Sequence, residues 1–269
     1  MKQLTTTPRK WLRLRLSAGI AFLSLCILGI IPVTQAQDQP IPCEPDPQKT
    51  FSTWQAQDEQ CKQHQDINLS IDLSYPQELT VYPNALKVIN DYLEQQKSDF
   101  LNTSLQFAGD FIPTESYPWT LEISYDEEKF SDSVVTVLFY LWTYTGGAHG
   151  SHVTTTFTFD LASDTQLALP DLFVDGTDVY GLLAPMAQTD LTEQIKKLLD
   201  DPNATDVTWV EDGAAPVAEN YQSFALTSDA LVLIFQEYQV APYVVGPLQV
   251  SIPLSDLQDA LKPEFQPAK

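Results

Sequence analysis

From residue 67 the chain alternates Ile67, Leu69, Ile71 and Leu73 with polar neighbours, a period of two that sets one face of a strand against a core. The period then changes. Behind a Pro83-Asn84 start signal, Leu86, Ile89, Leu93 and Phe100 recur at steps of three, four and seven, which lines them along one side of a helix. Two strand patterns follow, at 116–128 and 131–145, the second apolar on both faces as in a strand covered from both sides. Gly146-Gly147-Ala148-His149-Gly150 then turns the chain back into HVTTTFTFD, where Val153, Thr155, Phe157 and Phe159 share one face and threonines the other. This predicts a long hairpin in which Gly146, Gly147 and Gly150 supply positive φ and His149 is exposed at the tip.

Beyond the hairpin the pattern gives a short strand, the segment Leu169-Pro170-Asp171-Leu172-Phe173, and two helical pieces divided at Pro185, because proline removes a helix hydrogen bond and crowds the preceding turn. In the second piece Leu191, Ile195, Leu198 and Leu199 share a face. Residues 200–220 read as an acidic loop or short hairpin. Residues 221–254 give three strands, broken at Ser228-Asp229 and at Ala241-Pro242-Tyr243, and a short last helix opens under a Ser255 or Asp256 cap. Strands outnumber helices and are joined by hairpins, so the fold class is α+β, an antiparallel sheet with long hairpins and flanking helices.

The first 36 residues carry a different signal. Lys2, Arg9, Lys10, Arg13 and Arg15 precede the apolar run Leu16 to Ile31, which is followed by Val33-Thr34-Gln35-Ala36. A basic start, an apolar run too short to span a bilayer and a small-residue cleavage site predict a signal peptide over 1–36 and a periplasmic or secreted protein. The alternative is an uncleaved N-terminal anchor. Cys43 and Cys61 then remain in an oxidising compartment, where a disulfide stapling an N-terminal arm (37–66) is expected.

Composition narrows the function. With 269 residues, 43% hydrophobic and 11% aromatic, the chain is globular rather than disordered. Its net charge of −22, from Lys+Arg 14 against Asp+Glu 36, falls to −27 when the five basic residues of the leader are removed. Nucleic acid is not an expected partner of such a chain; an acidic surface suits basic proteins, cations or simply water. Of the three histidines, His64, His149 and His152, the last two form an H-x-x-H at the hairpin, short of the three or four converging ligands a metal requires. Asp171, Asp175 and Asp178 miss the calcium-loop register, and G-x-S-x-G, H-E-x-x-H and Gly-rich phosphate loops are lacking. No metal, no cofactor and no catalytic residue is assigned, and the expectation is a non-enzymatic protein.

One constellation carries a resemblance. Tyr144 to Gly150, a Phe-Thr-Phe-Asp strand, Leu169 to Phe173, and Leu233-Ile234-Phe235-Gln236-Glu237-Tyr238 with Ala241-Pro242-Tyr243 and Gly246 together resemble the extracytoplasmic domain of the RsiV family. Residues 67–105 resemble the small domain upstream of it there and in PdaC-type peptidoglycan deacetylases. The resemblance implies a small N-terminal domain over 67–128 and an RsiV-like domain over 129–269. It also implies a binding protein, since family members include anti-sigma factors whose outer domain binds lysozyme; neither a sigma-binding segment nor a deacetylase catalytic domain is found in this sequence. The expected ligand is a lysozyme-like basic protein or cell-wall glycan, bound by a monomer with no membrane span after leader cleavage. The ligand-binding residues are expected to be Tyr238, Pro242, Tyr243, Gly146, Gly147 and His149, with core packing beside Val244 and Val245 as the competing role of the two tyrosines. The alternative is a cell-wall enzyme or its accessory domain, with His149 and a nearby acid as the catalytic pair.

Overall fold

The alternation at Leu69, Ile71 and Leu73 builds a strand whose apolar side chains are all buried. It belongs to a computed structural model that describes residues 51–55, 69–107, 113–114, 116–200 and 208–267. The leader, Cys43 and Cys61 lie outside the described residues. Strands β1 (Phe51–Gln55), β2 (Leu69–Ser74), β3 (Trp119–Lys129), β4 (Val134–Tyr144), β5 (Ser151–Asp160) and β6 (Thr165–Leu167) form one sheet in chain order. All neighbours are antiparallel except β2 and β3, which run parallel. Helix α1 (Pro83–Phe107) lies between them in the chain, the crossover that parallel neighbours require.

Helix α1 lays Ala85, Ile89, Leu93 and Phe100 on Ile71, Leu121, Ile123, Val137 and Phe139. Tyr92 closes an aromatic cluster there, with ring centroids 5.2 Å from Phe139 and 5.3 Å from Phe157. The helix starts under a cap that no local pattern announces. Asp164, in the β5–β6 turn with φ 50, accepts from the backbone N–H of Asn84 at 2.8 Å and of Ala85 at 3.1 Å. A carboxylate at these unpaired donors is favoured by both hydrogen bonding and the helix dipole.

A second sheet, β7 (Phe224–Leu226), β8 (Ala230–Phe235) and β9 (Leu248–Pro253), is antiparallel in that order. One face packs Leu226, Leu233, Phe235 and Val250 with Leu183, Ala187 and Leu191 of α2 (Val179–Leu198). The other meets the first sheet, where Ala225 and Ile234 bury Leu138. Threonines complete that junction. Thr136, wholly buried, pairs its hydroxyl with that of Thr158 at 2.9 Å and accepts from Leu226 N at 3.2 Å, while Thr156 accepts from Phe224 N at 2.9 Å. The unpaired edge of β7 is thus met by side chains, as a buried edge requires.

The class is α+β as expected, but four local expectations are corrected. Pro185 does not divide α2, which runs through it; the buried face of Leu183, Ala184, Ala187 and Leu191 outweighs one missing hydrogen bond. Leu198 and Leu199 are exposed, 58% and 45%, because they sit at the helix end past the edge of the second sheet's core. The acidic stretch contributes a short helix, α3 (Thr208–Gly213), and the last helix, α4 (Leu254–Leu257), begins before Ser255, with Leu254 N donating to Asp229 O at 2.8 Å instead of a side-chain cap.

Candidate functional site

At the β4–β5 tip the two sheets diverge and leave a cleft of about 800 Å³. Antiparallel register sets its floor: Glu122, Trp142 and His152 form one row across β3, β4 and β5, and Ser124, Tyr140 and Thr154 the next. Ile234, Glu237, Pro247 and Gln249 form the opposite wall. Tyr140 keeps its proton. Burial, then the charge of Asp126, a hydrogen bond to it and the charge of Glu128 all hold its hydroxyl above the usual value.

His152 and Glu237 face each other across the cleft mouth. The ring Nδ1 lies 3.2 Å from Glu237 Oε1 and the backbone N donates to Oε2 at 3.4 Å; the carboxylate is 9% exposed and the imidazole 57%. Glutamines on both sides fix this segment. Gln236 exchanges two hydrogen bonds with the Thr154 backbone, at 2.9 Å to Oε1 and 2.7 Å from Nε2. Gln239 accepts from Gln236 N at 2.9 Å and donates to Gly213 O and Asn220 O at 2.9 and 3.0 Å. Between them Tyr238 sits at φ 66, a left-handed conformation that side chains other than glycine adopt only when their surroundings hold them there.

The expected ligand-binding residues lie beside this cleft, and the structure brings them together. His149 stacks on Tyr243 with centroids 4.1 Å apart and planes at 19°, and Tyr243 stacks on Tyr238 at 5.5 Å and 29°. Gly146 and Gly147 have φ 94 and 93, and Pro242 starts a single turn, Tyr243–Val245, that Gly246 ends with φ 78. Tyr238 is 54% exposed and Val244 82%, so core packing is not the role of Tyr238. Gly150 is corrected: its φ is not positive, and it is glycine because a Cβ there would overlap the Trp142 indole. His149 is not the histidine with an acid beside it. Its Nδ1 donates to Gly150 O at 2.9 Å and its face covers Tyr243, while the carboxylate goes to His152.

Two of the acids that miss the calcium-loop register serve the backbone: Asp178 caps α2 by accepting from Gly181 N at 3.0 Å, and Asp171 accepts from Ala168 N at 2.8 Å. Among the described residues no group of three or more His, Cys, Asp or Glu converges on a metal position, and no helix is long and apolar enough to cross a membrane.

Two known families account for the two halves of this arrangement. Residues 62–152, carrying most of the cleft floor, match the family described as deacetylase PdaC, and residues 170–255, carrying the opposite wall, match a family described as a protein of unknown function, DUF3298. Each model matches about a third of the chain, the match to PdaC preceding the match to DUF3298. It is similar to the peptidoglycan-N-acetylmuramic acid deacetylase PdaC of Bacillus subtilis, 32% identical over 54% of this chain but spanning only 30% of that protein. It is also similar to the immunogenic protein MPT64 of Mycobacterium tuberculosis, 27% identical over 72% of this chain and 77% of that one. An esterase of the same organism is 24% identical over 69% and 75%. A solved DUF3298 family protein from Pseudomonas aeruginosa superposes with a TM-score of 0.49 at 19% identity, covering 86% of this chain and 99% of that one.

Proposed function

We propose that this is an extracytoplasmic cell-wall protein that binds a saccharide chain in the cleft between its two sheets. The observation that carries the reading is the pairing of Tyr140 and Trp142 on one face of β4 with Glu122, His152, Glu237 and Gln249 around them. Sugars present flat C–H faces edged by hydroxyls. Rigid aromatic surfaces suit the faces, and carboxylate, amide and imidazole groups suit the edges. The ring ladder of His149, Tyr243 and Tyr238 extends the surface, since Glu237 and His152 line the cleft while Tyr238 and His149, one and three residues away, carry the ladder. The similarity to a peptidoglycan deacetylase outside its full length supports a wall-directed binding module, and the leader pattern supports export.

A second reading rests on charge. Glu122, Asp126 and Glu128 alternate along β3 on the cleft side, and complementary fields would draw in a basic partner such as lysozyme, as in the RsiV-type role.

The test is titration calorimetry with N-acetylglucosamine oligomers, solubilised peptidoglycan and lysozyme, against wild type and Trp142→Ala with the fold checked by circular dichroism. Saccharide binding weakened at least about tenfold by loss of the indole is expected, the scale of a buried aromatic anchor. Binding of lysozyme alone, lost with rising salt, would replace the glycan by the protein ligand. No saccharide binding by the wild type would refute the proposal.

A further inference from the structure

We propose that the cleft is also a hydrolytic site for acyl esters, with His152 as general base and Glu237 as the residue that positions it; the substrate class, an acyl-substituted sugar hydroxyl, rests on the saccharide reading above. A carboxylate only accepts hydrogen bonds, so the neutral imidazole beside Glu237 Oε1 carries its proton on Nδ1, 3.2 Å away. The Nε2 lone pair is then left for the cleft, the base-and-orienter arrangement of hydrolases that work through histidine.

Three observations distinguish this pair from a surface ion pair. Glu237 is only 9% exposed, with Oε1 facing the His152 ring and Oε2 accepting from the His152 backbone N–H, so a largely covered carboxylate is given over to one residue. The segment carrying it is fixed on both sides, by Gln236 gripping Thr154 two residues beyond His152 and by Gln239 gripping Gly213 and Asn220. Positioning is worth most where the supporting groups are themselves locked. Finally, the pair opens on the cleft lined by Tyr140 and Trp142.

In the reaction, His152 Nε2 takes a proton from water as the water oxygen bonds to the ester carbonyl carbon. The carbonyl re-forms as the bond to the sugar oxygen breaks, and the alkoxide leaves with its electron pair and takes the proton from the imidazolium. Water and ester give a carboxylic acid and an alcohol, with no other reactant.

The probe is p-nitrophenyl acetate, followed by nitrophenolate release, with the full chain and an equal concentration of free imidazole as reference. The wild type is expected to exceed free imidazole by at least about 100-fold, the lower bound of positioned general-base catalysis. His152→Ala should fall to the reference, and added imidazole should restore part of the loss, which no structural role of His152 would allow. Glu237→Gln should lose about tenfold or more in ester turnover with the melting temperature retained, and its loss should not be restored by added imidazole. A wild type no faster than imidazole, an undiminished His152→Ala, or absence of imidazole rescue would overturn the assignment. Saccharide binding is read on the same samples, so a cleft that binds without turning over ester fails only this inference, while one that binds nothing fails the reading beneath it.

Discussion

Replacing Thr136 with valine tests how the two sheets are joined. The hydroxyl is wholly buried, accepts from Leu226 N at 3.2 Å and shares a hydrogen bond with Thr158 at 2.9 Å. Valine has nearly the same shape, so no cavity opens and the effect isolates the polar contacts. Leu226, also fully buried on the outer edge of β7, is left with an unpaired N–H, costing about 1–3 kcal/mol, and the Thr158 hydroxyl loses its hydrogen bond to Thr136, about 1 kcal/mol more. The methyl that replaces the hydroxyl returns about 0.8 kcal/mol by apolar burial. A net loss of roughly 1–3 kcal/mol lowers the melting temperature by about 3–10 °C for a domain of this size. Thr158→Val removes one contact and leaves Leu226 paired, so it should cost less. The double variant should cost about as much as Thr136→Val alone, since the hydroxyl pair is counted in both single changes. Calorimetric melts of the three variants decide it. A Thr136→Val within 1 °C of wild type, or a costlier Thr158→Val, would refute the view that threonines complete the edge of β7.

Two further predictions concern groups that sequence patterns do not mark. Asp164→Ala removes the acceptor for Asn84 N and Ala85 N and should destabilise by about 1–2 kcal/mol, the usual worth of a cap, with Asp164→Asn intermediate; a melt unchanged by Asp164→Ala would mean the 80-residue contact contributes nothing. Glu127 is held above its ordinary carboxyl range by burial first and by the charge of Glu78 second, with one oxygen unpaired. With the folded value raised, the folded state binds more protons than the unfolded, so this group's contribution is fully present below about pH 4.5 and is lost as pH rises through the folded value. Glu127→Gln should therefore melt higher than wild type at pH 7 and converge with it toward pH 4, and a stabilisation that persists at pH 4 would contradict the assignment.

The elements visible in the sequence are those whose burial has a single period. Ile71 and Leu73 alternate, Ile89, Leu93 and Phe100 recur at helical steps, and both sets are buried where the pattern puts them. The hairpin was equally legible, because Gly146 and Gly147 announce the positive φ that the turn uses. What stayed hidden was set by partners distant in sequence. Pro185 reads as a break because the pattern does not contain the second sheet that holds α2 straight. The cleft was missed because Glu122, Trp142 and His152 become a row only once β3, β4 and β5 are in register. A signal existed in the strand alternation: Tyr140 and Trp142 occupy the same face as Thr154 and His152, and polar aromatics at that spacing mark a face that is only partly covered.

The segment Gln236-Glu237-Tyr238-Gln239 shows how tertiary contacts give a role to residues whose sequence pattern is bland. As a sequence it is a polar end to a strand, and its two glutamines look like solvent-facing residues. In the fold their side chains replace the backbone ladder that ends with β8, one binding β5 and the other α3 and its following turn. That double hold stabilises a left-handed tyrosine, a conformation costing about 1–2 kcal/mol for a residue with a Cβ. The conformation has a structural consequence: in an extended strand neighbours point to opposite faces of one sheet, whereas here Glu237 turns in to His152 while Tyr238 turns out to Tyr243. Glycine at 238 would relieve the backbone and lose the ring, and an extended residue would keep the ring but draw Glu237 off His152. The strain is therefore tied to having a carboxylate in the cleft and an aromatic on the ladder at consecutive positions.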